Sequence, residues 1–94
     1  MTTVGLVGLG YWGPNLARNF DHLADLTWLC DFDAELRSTF AVRYPRAQVT
    51  ADFEQMLADP KLDAVVIATP VPTHHALAKQ ALEAGKHVLV EKPP

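Results

Sequence analysis

The chain has one cysteine, Cys30, so no disulfide can form within it, and the small secreted scaffolds that depend on such bridges are excluded. Long apolar runs are missing too. The longest uninterrupted one, Ala64 to Ala68, is far too short to cross a bilayer as a helix, and no basic stretch leads into an apolar segment at the start. A cytoplasmic protein without a membrane partner is therefore expected. Positive charge is not in excess: 8 Lys and Arg face 11 Asp and Glu, and the basic residues are scattered from Arg18 to Lys92. Nucleic acid is thus not an expected partner. No low-complexity tract or repeat of solenoid length is present. Histidines spaced to share a metal are also lacking, because the adjacent His74 and His75 cannot both turn toward one ion from a helix, so no metal site is expected.

What is present is ordinary for a folded domain, with 49% apolar and 20% charged residues in 94. One domain, 1–94, is expected, since a second core has no room. Val4 to Leu9 reads as a strand that stops at Gly8, Gly10 and Gly13. A helix follows, with Pro14 in its first turn and Leu16, Ala17, Phe20, Leu23 and Ala24 on its apolar side. Leu26 to Cys30 makes the second strand, with Cys30 expected buried. Asp33 can cap a second helix that buries Leu36, Phe40, Ala41 and Tyr44.

A short strand at Gln48 to Thr50 leads to Asp52, the cap of a brief helix with Phe53, Met56 and Leu57 inward and Gln55 at the capping-box position. Ala64 to Ala68 is apolar throughout, as suits a central parallel strand. Thr73 can cap a longer helix packed through Leu77, Ala78, Ala81 and Leu82, and Gly85 can end it before a last strand at Val88 to Val90. The alternation predicts an α/β fold, a Rossmann-type doubly wound parallel sheet of five strands in the order 3-2-1-4-5, with helices on both faces.

Gly8-Leu9-Gly10-Tyr11-Trp12-Gly13 lies between a predicted strand and a predicted helix, the context that makes a glycine pattern a dinucleotide fingerprint. Gly8 permits the sharp turn, Gly10 lets the backbone approach a pyrophosphate, and Gly13 lets helix and strand pack closely, with Tyr11 and Trp12 carried at the same site. Asp31 ends the second strand, where a carboxylate can accept from both adenosine ribose hydroxyls. This favours NAD over NADP, whose 2′-phosphate would meet a like charge unless Arg37 swung inward. Asp33 reads as a helix cap and His75 as a surface residue. Thr69, Pro70 and His74 follow the fourth strand on the same sheet edge, with His74 in a first helical turn that favours neutral imidazole. Glu91 and Lys92 follow the fifth strand, near the nicotinamide end of such a ligand or simply as a solvated pair.

Taken together, Gly8-Leu9-Gly10-Tyr11-Trp12-Gly13-Pro14-Asn15, Ala68-Thr69-Pro70 with His74, and Ala84-Gly85-Lys86-His87-Val88 leading into Glu91-Lys92-Pro93 resemble the glucose-fructose oxidoreductase, inositol dehydrogenase and MocA (Gfo/Idh/MocA) family. The resemblance implies a catalytic role for Lys92 at the reacting hydroxyl, with Glu91 near the nicotinamide ribose. It also implies Thr69, Pro70 and His74 along the cofactor and a cis Lys92–Pro93 bond. It implies NAD-dependent dehydrogenase chemistry on a sugar, polyol or nucleotide-linked sugar, with the substrate held by a second, α+β domain not contained in these residues. A fragment that binds cofactor without turnover, and self-associates through uncovered apolar surface beside the fifth strand, is the resulting expectation. A stand-alone NAD-binding or redox-sensing module is the alternative. A methyltransferase using S-adenosylmethionine shares the glycine turn but not the third glycine's spacing or Glu91-Lys92-Pro93.

Overall fold

The computed structural model describes residues 2–91. Five strands form one sheet: β1 (Thr3–Val7), β2 (Asp25–Cys30), β3 (Gln48–Thr50), β4 (Ala64–Ile67) and β5 (His87–Val90). Their order is β3-β2-β1-β4-β5 and every pairing is parallel. Between them run α1 (Gly13–Leu23), α2 (Ala34–Arg43), α3 (Phe53–Leu57) and α4 (His74–Glu83), the last preceded by a 3-10 turn at Val71–Thr73. The doubly wound sheet expected from the alternation is the one found.

Parallel strands buried on both faces need two cores, and the alternation of side chains supplies them, interrupted in β2 by a register shift after Leu26 that puts Leu26 and Leu29 on one face. One face carries Val7, Trp28, Cys30, Val65 and Ile67 against Phe53, Met56 and Leu57 of α3 and Ala81 of α4. The other carries Val4, Leu6, Leu26, Leu29 and Val66 against Ala17 of α1 and Phe40 of α2.

Leu23, Ala41 and Leu82, expected on buried helix faces, are exposed. Each stands roughly a quarter turn from the centre of its helix's buried stripe, and a helix lying on a sheet buries only the residues nearest that centre. On β5, Leu89 is also exposed.

The caps are formed by short-range hydrogen bonds. The Asp33 carboxylate accepts from the N–H groups of Glu35 and Leu36, and Asp52 accepts from that of Glu54. Gln55 does not close the expected capping box. The Asp52 N–H instead donates to the Thr50 hydroxyl, which donates onward to the Gln55 side-chain oxygen at 2.6 Å. Thr73 does not cap α4 with its side chain either. Its hydroxyl is taken by the Pro70 carbonyl and by Thr69, because the 3-10 turn folds it back over the loop. Gly85, at φ +80°, ends α4 in a Schellman turn: its N–H donates to the Leu82 carbonyl, and that of Lys86 to Ala81.

Lys86 is buried although nothing in the sequence marks it for burial, and its Nζ donates to the Asp59 carbonyl at 2.8 Å. The Asp59 carboxylate accepts from the indole N–H of Trp28, and that bond is the main reason its pKa is held below the ordinary carboxylate value. The cluster ties α3's exit to β2 and β5.

Candidate nucleotide-binding site

Val7, Cys30, Thr50, Ile67 and Val90 stand level in the sheet at the carboxyl ends of the strands. The order reverses between β1 and β4, so the loops after these two strands part and leave a crevice. The loop after β1 is bound down at its start, where the Gly8 N–H donates to the Cys30 carbonyl at 2.9 Å. Gly8 has φ +99°, and a Cβ there would lie 2.7 Å from the Ala68 carbonyl carbon and 2.8 Å from the Thr69 nitrogen. The two loops thus touch at Gly8. A Cβ on Gly13 would meet the Gly8 oxygen at 2.9 Å, which is the close helix–strand approach expected of that position.

Two clefts flank this contact. The first, about 320 Å³, is lined by Gly8, Gly10, Tyr11, Trp12, Ala68, Thr69, Pro70, Val71 and Glu91. The second, about 240 Å³, is lined by Val7, Gly8, Cys30, Asp31, Phe32, Phe53, Thr69, Pro70, Thr73 and Leu77. Gly8, Thr69 and Pro70 belong to both, forming the saddle between them. The N-terminus of α1 opens beside the saddle. It has no side-chain cap and no acidic residue in its first turn, so nothing of its own neutralises the positive end of the helix.

The structure therefore gathers Gly8, Gly10, Tyr11, Trp12, Asp31, Thr69, Pro70 and Glu91 along one crevice. His74 lines neither cleft. It is buried in the first turn of α4, and its Nε2 lies 2.6 Å from the Thr69 carbonyl oxygen, so it holds the saddle from beneath. Lys92 and the Lys92–Pro93 bond lie outside the described residues. Phe32, 88% exposed beside the second cleft, was not singled out from the sequence, and Thr73 and Leu77, read there as a helix cap and a packing residue, line that cleft as well. An apolar residue directly after the acid of strand two was the available signal for Phe32.

Asp31 is more occupied than the sequence suggests. One carboxylate oxygen accepts from the Leu9 N–H at 2.8 Å and the other from the Asp33 N–H at 2.8 Å. Arg37 does not swing toward the carboxylate; its Nη1 donates to the backbone carbonyls of Asp31 and Phe32 at 2.9 and 2.8 Å. Tyr11, 86% exposed, meets Trp12 edge to face at 4.9 Å. Among the described residues no group of three His, Cys, Asp or Glu could hold a metal ion, and no helix is long and apolar enough to cross a membrane.

Burial, reinforced by the carboxylates of Asp31 and Asp52, pushes the Cys30 thiol up to about 11. At pH 8 it is a thiol rather than the reactive thiolate. Iodoacetamide is expected to leave Cys30 untouched in the native chain over a time that alkylates it fully in urea, read by mass spectrometry; equal rates would contradict the burial.

Topology, glycine turn and paired clefts define a nucleotide-binding domain of the Rossmann type. Residues 2–94 match the family model described as "Oxidoreductase family, NAD-binding Rossmann fold". The chain belongs to this Gfo/Idh/MocA oxidoreductase family, as its motifs implied. It is 38% identical over 93 residues to the inositol 2-dehydrogenase of Acidothermus cellulolyticus, covering 96% of this chain and 27% of that protein. Among solved structures, GenD2 from gentamicin A biosynthesis, in complex with NAD, superposes with a TM-score of 0.91 at 38% identity, over 98% of this chain and 27% of that one. The WlbA dehydrogenase from Bordetella pertussis, in complex with NADH and UDP-GlcNAcA, superposes with a TM-score of 0.88 at 32% identity, over 97% of this chain and 28% of that one. The chain thus spans about a quarter of the length of these relatives.

Proposed function

We propose that this chain is the NAD-binding domain of a dehydrogenase that moves a hydride between NAD(H) and a hydroxyl-bearing carbon of a sugar, polyol or nucleotide-linked sugar. The observation that carries the reading is the pair of clefts joined across the Gly8 saddle, with Asp31 at one end and Glu91 at the other. A dinucleotide has the same layout, two ring systems joined by a charged bridge. The residues present fit that group: Gly10 lines the crevice with no side chain, and a Cβ there would project into open space.

In this assignment Asp31 accepts from the adenosine ribose hydroxyls and Phe32 offers an apolar face beside it. Gly8, Gly10 and the start of α1 take the diphosphate, while Tyr11, Trp12, Thr69, Pro70 and Glu91 flank the nicotinamide side. His74 is a positioning residue acting through Thr69. The bound nicotinamide supplies the hydride chemistry. Lys92 is assigned to the reacting hydroxyl on the strength of the motif it shares with the family. Hydride transfer also requires a substrate held in place and a proton acceptor, so these 94 residues bind cofactor without turning over.

NAD is favoured over NADP because Asp31 presents a negative charge to the 2′ position, while Arg37 is engaged by backbone carbonyls rather than by that carboxylate. Titration with NADH and NADPH, followed by nicotinamide fluorescence, is expected to show NADH binding about tenfold tighter or more. Asp31→Ala is expected to erode that preference. Absence of binding by either nucleotide would remove the cofactor assignment.

A further inference from the structure

We infer that Asp31 is also a positioning residue for the glycine loop, holding the Leu9 amide so that the diphosphate-binding backbone is set before any ligand arrives. The inference rests on the dinucleotide reading and adds to it a coupling between the ribose and diphosphate subsites. Leu9 lies between Gly8 and Gly10, and its N–H donates to Asp31 Oδ2 at 2.8 Å across the gap between two strands. Oδ1 accepts from the Asp33 N–H at 2.8 Å, which fixes the carboxylate's rotation. Leu9 itself is fully buried, so its amide has no water to turn to if the carboxylate leaves.

Each carboxylate oxygen accepts one of these bonds and has a second lone pair. The two free lone pairs suffice for two ribose hydroxyls, so Asp31 can bind the ribose without releasing the loop. The carboxylate that receives the ribose is thus the one that already holds Leu9, and through it Gly10.

Inorganic pyrophosphate separates this role from simple ribose recognition, because it has no ribose to contact Asp31. Charge alone predicts that Asp31→Ala binds pyrophosphate more tightly, since a nearby negative charge is gone. Loop positioning predicts the opposite: roughly fivefold weaker binding, the equivalent of one lost hydrogen bond, with Leu9 amide exchange about tenfold faster or more. Asp31→Asn keeps one oxygen able to accept from Leu9, at the loss of the bond from the Asp33 N–H, so it is expected to retain the Leu9 protection and the pyrophosphate affinity.

The experiment is amide exchange by nuclear magnetic resonance on the unaltered chain and both variants, with a pyrophosphate titration of each. Unchanged Leu9 exchange in folded Asp31→Ala, or pyrophosphate binding as tight as in the unaltered chain, overturns the role. If Asp31→Ala does not fold, the unaltered chain and Asp31→Asn decide. Strong Leu9 protection with retained affinity in Asp31→Asn supports the role, and fast Leu9 exchange in the unaltered chain overturns it. Pyrophosphate binding by an unaltered chain that binds no NADH would sink the NAD assignment while leaving the positioning role standing.

Discussion

Gly8→Ala is expected to destabilise the domain by roughly 4 kcal/mol, combining an unfavourable backbone conformation with a steric clash. The backbone there has φ +99°, a region L side chains rarely adopt. The added methyl would also lie 2.7 to 2.9 Å from the carbonyl carbon and oxygen of Ala68 and the nitrogen of Thr69. Those are main-chain atoms at the end of a central strand, so relief requires β1 and β4 to separate at the saddle. With total stabilities of about 5–15 kcal/mol for domains, much of the native population is at stake. Thermal unfolding followed by circular dichroism should show the midpoint falling by more than about 15 °C. A fall of only a few degrees would mean that the two loops are not in contact as described.

Gly10→Ala is expected to separate binding from folding. No atom lies within 4 Å of a Cβ at this position, and its φ is not positive, so the fold has no need of glycine here. Stability should change by less than about 0.5 kcal/mol. Gly10 nevertheless lines the crevice, and a methyl would stand where the diphosphate must approach the backbone. NADH affinity is expected to fall by tenfold or more, about 1.4 kcal/mol, with an unchanged melting temperature. Retained affinity would place the diphosphate elsewhere, and a lowered melting temperature would show that the loop is packed more closely than the structure indicates.

The contrast between the two glycines shows where sequence reading reached its limit. The pattern Gly8, Gly10, Gly13 marks the turn, and the functional division among the three is a general property of such turns. Which backbone atoms Gly8 touches depends on Ala68 and Thr69, some sixty residues away in the chain. The same limit explains the helix faces. A periodic stripe identifies a helix, but how far around the stripe burial extends depends on the sheet beneath, and so Leu23, Ala41 and Leu82 are exposed. Gln55 was in the expected position for a capping box, yet the Thr50 hydroxyl competed successfully for the Asp52 N–H because β3 ends close by.

The sequence by itself determined what arises from short-range physics: the alternation of strand and helix, the carboxylate caps at Asp33 and Asp52, the Gly85 stop, and the glycine turn with an acid at the end of the second strand. Each depends on residues a few positions apart or on a motif with its own mechanism. Only the tertiary structure decided that Asp31 grips Leu9 and that Lys86, Asp59 and Trp28 join three elements. Asp31 meets Leu9 because β1 and β2 lie side by side, and Lys86 reaches Asp59 because β5 follows β4 across the sheet. These bonds form between strands and loops that only the fold brings within 3 Å, and spacing along the chain carries no record of them.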